Sequence, residues 1–193
     1  MQPPFGIGGM AISGGSIDKE GAAGRTTAPT AISEENEAMN KQKGIIYLAY
    51  GSNLNLEQMA YRCPNAKALG GTKLNGYRLL FRGAGCGAVA TIEKHEGGSV
   101  PVLLWQITPT DEAALDRYEG YPYLYRKEMV RVRFEGKWLS AMVYIMNDGR
   151  PLGYPSTYYY DVIRQGYMDA RFNLSVLAQA VKDSAARRQK TEV

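Results

Sequence analysis

From residue 44 onward, apolar and polar positions recur with the periods of regular structure, whereas residues 1–43 show no sustained period of 2 or 3.6. Residues 45–50, IIYLAY, read as a buried strand that stops in Gly51-Ser52-Asn53. Leu56, Met59, Ala60 and Cys63 follow at i, i+3, i+4 and i+7, with Asn53 or Asn55 as N-cap and Pro64 as a stop, and predict a short amphipathic helix. The Gly-Ser-Asn loop is therefore expected to feed a helix N-terminus. Residues 74–82, 88–93 and 100–107 carry strand patterns, the last entered through a turn at Glu96-Gly97-Gly98-Ser99. Residues 126–134 and 137–146 flank Glu135-Gly136, a two-residue hairpin signal. Between the strands 100–107 and 126–134, TPTDEAALDRYEGYP spells out a helix: Thr108 caps, Pro109 takes the first position, Asp111 completes a capping box, and Gly120 with Pro122 ends it. A third helix is expected over residues 157–172. A fourth is expected from 174 to about 188, with Leu174, Leu177, Ala178 and Val181 on one face. Six strands with helices between and after them predict an α+β domain, a small mixed sheet curled toward a barrel with flanking helices.

Composition narrows this picture. At 193 residues and 45% hydrophobic, the chain supplies one core. Its expected division is a disordered tail at 1–43, rich in Gly, Ala, Ser and Thr, a single domain at 44–185, and a frayed end at 186–193. No stretch approaches the roughly 20 apolar residues of a membrane span, and no secretory pattern opens the chain, so a cytoplasmic protein is expected. Two cysteines, Cys63 and Cys86, with one histidine, His95, make neither a disulfide framework nor a four-ligand zinc site; no metal is expected. The net charge of +4 comes from scattered Lys and Arg without a nucleic-acid-binding pattern. A small anionic substrate suits that charge, and a monomer or homodimer is expected, without nucleic acid or membrane partners.

The candidate chemistry centres on Glu119. It stands in the last turn of the second helix, where the negative end of the helix dipole and Asp116 one turn back both disfavour an ionised carboxylate. Tyr118, Tyr121, Tyr123 and Tyr125 would add an apolar wall. Each influence raises the carboxyl pKa toward the range useful for taking and returning a proton at neutral pH. An exposed helix-end acid paired with Arg117, Arg126 or Lys127 fits the spacing comparably well. The loop Gly51-Ser52-Asn53 is an ordinary turn by composition, yet successive backbone N–H groups there would also hold an anion. Cys86, set among glycines with His95 nearby, lacks the context of a thiol nucleophile, and Gly83–Gly87 lacks the ending of a phosphate loop. Tyr158, Tyr159 and Tyr160 open the third helix, with one of them available to a ligand.

YLAYGSNL, AVATI, VLLWQIT and LDRYEGYPYLY, in this order, make residues 45–180 resemble the γ-glutamylcyclotransferase family within the AIG2-like group. The resemblance implies a compact barrel with flanking helices, no cofactor, and the Glu of D-x-x-E-G, here Glu119, as the catalytic acid/base. It also implies a substrate-binding role for Tyr50, Gly51, Ser52 and Asn53, with Tyr125 and Tyr160 lining the pocket. The implied reaction is attack of a free α-amine on its own γ-carbonyl, giving 5-oxoproline and an amine. A module that binds a small γ-glutamyl-like anion without turnover is the alternative. The N-terminal stretch and the ARFN segment depart from the family pattern.

Overall fold

Residues 44–84 and 87–191, with side chains to 185, are described by a computed structural model. The stretch 1–43, Cys86 with the thiol chemistry weighed for it, and residues 192–193 lie outside these. Among the described residues no helix is long and apolar enough to cross a membrane.

β1 (Ile45–Ala49) is the apolar strand that precedes the Gly-Ser-Asn loop. The loop then tightens into a 3-10 turn, Ser52–Leu54, closed by the amides of Leu54 and Asn55 on the carbonyls of Gly51 and Ser52. Of the two expected caps Asn55 is the one used: α1 (Leu56–Arg62) starts where its pattern does, after the 3-10 turn, and the Asn55 Oδ1 accepts the Gln58 amide at 3.0 Å. Only part of its expected face is covered, since Met59 and Cys63 are buried while Leu56 and Ala60 are exposed.

β2 (Lys67–Arg82) and β3 (Val89–Ile107) form one long antiparallel pair. The expected turn at Glu96–Ser99 lies inside β3. Asn75 pairs with Ser99 and Tyr77 with Lys94, so residues 95–98 bulge out opposite Gly76. Gly98 permits this, because a Cβ there would lie 2.4 Å from the Tyr77 carbonyl oxygen. Five strands therefore stand where six were expected. β4 (Tyr125–Phe134) and β5 (Lys137–Met146) make the hairpin across Glu135 and Gly136, both with positive φ (48° and 78°) as a tight primed turn requires.

The sheet order is β2-β3-β1-β5-β4, with β1 antiparallel to β3 and parallel to β5. Its two edges curl toward each other, Thr72 Oγ1 of β2 donating to the Arg133 carbonyl of β4 at 2.6 Å, without closing a barrel. α2 (Pro109–Glu119) has the capping box between Thr108 and Asp111, Pro at its start, and Gly120 in the left-handed conformation (φ 63°) at its end.

α3 (Thr157–Asp169) stops before the expected residue 172. Arg171 adopts φ 56°, the Phe172 amide reaches back to Tyr167 O at 2.7 Å, and the Phe172 ring packs edge-on against Tyr167. No glycine announces this stop, which is why periodicity overruns it. α4 (Leu174–Thr191) lies on β2. Its buried residues are Leu177, Ala180 and Ser184, with Leu174 38% exposed at the start. Ser184 Oγ accepts the Phe81 amide at 2.8 Å and so satisfies a backbone donor of an edge strand. Leu48, Val102, Leu104, Val143, Ile163 and Leu177 share one core.

Candidate active site

The end of β1 and the 3-10 turn are held from two sides. Leu54 is fully buried, and α3 passes so close that a Cβ on Gly166 would stand 2.6 Å from the Asn55 nitrogen and the Leu54 carbonyl carbon. Ser52 and Asn53 are buried polar residues with side-chain partners: Ser52 Oγ lies 3.1 Å from the Tyr118 hydroxyl, and Asn53 Nδ2 donates to Tyr47 Oη and to Glu119 Oε1, both at 2.8 Å. The loop and the acid are thus in direct contact, although 66 residues separate them.

They face a cavity of about 200 Å³. Its lining comprises Tyr47, Tyr50, Gly51, Ser52, Asn53, Val89, Ala90, Tyr118, Glu119, Leu124, Tyr125, Tyr144 and Tyr159. Of the residues singled out from sequence, Tyr50, Gly51, Ser52, Asn53, Glu119 and Tyr125 are brought together here. Tyr160 is not; it packs against the core, and Tyr159, one step around the helix, lines the cavity in its place. Ile163 and Gly166 are buried on α3, and Tyr159 stands at i−4 and i−7 from them. Spacing alone does not fix the register within the triple tyrosine, because Tyr160 stands at i−3 and i−7 from the buried Ile163 and Tyr167. Tyr121 and Tyr123 are exposed (41% and 88%) and contribute no wall. Tyr47 and Tyr144 came with no local signal, because their placement depends on strand pairing across the sheet.

Most tyrosine hydroxyls here are committed to the protein. Tyr50 donates to the Tyr144 carbonyl and Tyr125 to the Ala90 carbonyl, each at 2.7 Å, and Tyr159 accepts the Ala90 amide at 3.2 Å. Burial first, and then the nearby Glu119 charge among other groups, pushes the Tyr47 and Tyr50 phenols well above their ordinary pKa, so they stay neutral.

Burial likewise raises the Glu119 carboxyl to about 7, against the pull of the Asn53 hydrogen bond and the Arg62 charge. The direction matches the expectation, and of the causes expected it is desolvation that acts, while Asp116 does not contribute. Asp116 accepts from Tyr144 Oη at 2.6 Å and pairs with Lys127, which also holds Glu112. A carboxyl poised near neutrality, fixed by an amide and walled by neutral phenols, can exchange a proton with a ligand in the cavity.

The sequence profile of a family described as "Gamma-glutamyl cyclotransferase, AIG2-like" matches residues 47–162. A gamma-glutamylcyclotransferase from Mus musculus is 30% identical over 142 residues, covering 68% of this chain and 74% of that protein. One from Homo sapiens is 27% identical over 135 residues, covering 65% and 71%. A solved gamma-glutamyl cyclotransferase structure superposes with a TM-score of 0.62 at 26% identity, covering 71% of this chain and 86% of that one. The matched segment carries both the Gly-Ser-Asn turn and Glu119. With its curled sheet, its cavity and these relatives, the chain belongs to the AIG2-like gamma-glutamyl cyclotransferase family of enzymes.

Proposed function

We propose that the protein converts a γ-glutamyl amide to 5-oxoproline and the free amine, with Glu119 moving the proton. The observation that carries this reading is the Glu119 carboxyl, raised to about 7 and bonded at 2.8 Å to Asn53 of the Gly-Ser-Asn turn, on the wall of the cavity.

The nucleophile belongs to the substrate. Its α-amine, tethered to its own γ-carbonyl, needs only to be folded into a five-membered approach, and a tight cavity supplies that restriction. At about 200 Å³ the space is below the roughly 300–1,000 Å³ of pockets for drug-sized ligands, which suits a glutamyl moiety with its leaving group directed past the half-exposed Tyr118. As the new N–C bond forms, ionised Glu119 takes a proton from the attacking amine. It returns that proton to the departing nitrogen as the old C–N bond breaks, so one carboxyl serves both half-steps. The amides that open the 3-10 turn precede its first hydrogen bond and are the donors available to negative charge on the substrate. Neutral phenols around the site add polarity without competing for the proton.

The test is to incubate the protein with γ-glutamyl amino acids and γ-glutamyl-ε-lysine and to assay 5-oxoproline. Wild type is expected to form it, Glu119→Gln to fold and lose it, and Cys86→Ala to retain it. Binding of the panel without product would assign the cavity to ligand capture instead.

A further inference from the structure

Arg62 ends α1 outside the cavity lining, yet its guanidinium is fixed on three sides. Nη1 donates to Asn53 Oδ1 at 2.8 Å, Nη2 to Gln58 Oε1 at 2.5 Å, and the guanidinium carbon lies 3.7 Å from the Tyr118 ring centroid. The Asn53 amide is therefore gripped at both ends: its oxygen faces a cation and its nitrogen faces Glu119 and the Tyr47 hydroxyl. Turning that amide over would set oxygen against the carboxylate and NH₂ against the guanidinium, two unfavourable contacts in place of two favourable ones. Tyr118, held beneath the guanidinium, precedes Glu119 on α2 and bonds Ser52, so the same group ties α1, the turn and α2 together.

We infer that Arg62 is a positioning residue for the proposed reaction, locking the Asn53 amide so that its NH₂ holds the Glu119 carboxyl in the cavity. Asn53 and Glu119 belong to the proposed machinery, and Arg62 acts through them, so this inference rests on the reading above. The titratable groups around Glu119 are the phenols of Tyr47, Tyr50, Tyr118, Tyr125, Tyr144 and Tyr159, together with Asp116, whose charge Lys127 meets. Among the described residues, Arg62 is the cation acting on the carboxyl. A lysine would keep the charge, but a point ammonium cannot bridge Asn53 and Gln58 in one plane while stacking on Tyr118.

The test compares Arg62→Met, Arg62→Lys and the same changes made in an Asn53→Ala background, in the full chain. Arg62→Met is expected to lower kcat about 10- to 100-fold with KM within about threefold, the size of effect that misplacing a catalytic group produces. Its acid limb should move to higher pH. Arg62→Lys, which keeps the charge and loses the bridge, should leave kcat low and move the limb less than Arg62→Met does, and either change should add little once Asn53 is Ala. Wild-type kcat in Arg62→Lys, or full additivity with Asn53→Ala, overturns the inference. NMR titration of the Glu119 carboxyl needs no turnover and gives the separate control. If wild type forms no 5-oxoproline, the functional reading fails; an upward shift of that titration in Arg62→Lys as well as in Arg62→Met still supports the grip, and a shift confined to Arg62→Met, which reports charge alone, or no shift at all overturns it.

Discussion

At the scale of single residues, the Glu119 carboxyl must work in both protonation states, and its burial makes both accessible near neutrality. Because burial raises this carboxyl to about 7, the ionised form that accepts a proton grows in as pH rises through that value. The expected pH profile of kcat/KM for a γ-glutamyl substrate therefore climbs from acid with a limb near 7, and Glu119→Gln loses about 10²- to 10⁴-fold in kcat, the usual share of a general acid/base. A flat profile between pH 5 and 8, or an active Gln variant, would remove Glu119 from the chemistry. The tyrosines divide differently. Tyr125 spends its hydroxyl on the buried Ala90 carbonyl at 2.7 Å, so it shapes the cavity wall through the backbone of β3. Tyr125→Phe leaves that carbonyl without its partner and is expected to cost about 1–2 kcal/mol in denaturant unfolding.

Elements bring these residues together through close approaches that side-chain patterns do not record. α3 can lie against the 3-10 turn only because residue 166 is glycine, a residue that in a helix interior is about 1 kcal/mol less favourable than alanine. Gly166→Ala should improve helix propensity and still destabilise the protein by about 1–3 kcal/mol, because the methyl meets backbone at 2.6 Å and the turn must yield. Activity should fall with stability, as the displaced turn carries Ser52 and Asn53; thermal unfolding alongside product assays checks both. The same contrast between local and distant determinants explains what the sequence discloses. α2 is legible throughout because Thr108, Pro109, Asp111 and Gly120 write its boundaries within a few residues of each other. The first half of β2 is not, because Gly70-Gly71 breaks the strand pattern and pairing with residues 101–106 of β3 makes it a strand. Glu119 and the Gly-Ser-Asn turn stand in short contiguous segments and could be named. Tyr144 and Tyr159 join them only through the packing of β5 and α3, a long-range fact that composition and period leave open, while Arg62 reaches Asn53 from the end of α1, the helix that directly follows the turn.

For the molecule as a whole, the site sets a cost on folding. β1 lies between β3 and β5, so the loop after it opens where the curled sheet meets the end of α2, and closing that arrangement takes the Glu119 carboxyl out of water. An unfolded chain leaves the same carboxyl near its ordinary 4.5, while the folded one binds its proton up to about 7. Between these values the native state holds more protons than the unfolded state, so stability contributed through Glu119 falls as pH rises across the window and is level on either side. At about 1.4 kcal/mol per pH unit the full span corresponds to at most about 3.5 kcal/mol, lessened by the water that reaches the partly buried side chain. Glutamine reproduces the protonated shape and keeps an oxygen for the Asn53 amide without ever ionising. Glu119→Gln should therefore match wild type in unfolding free energy near pH 4.5 and exceed it by about 1–3 kcal/mol at pH 8, measured by urea unfolding at both pH values. A variant equally stable with wild type at pH 8 would mean that ionising Glu119 costs the fold nothing, and hence that the carboxyl is not held out of water.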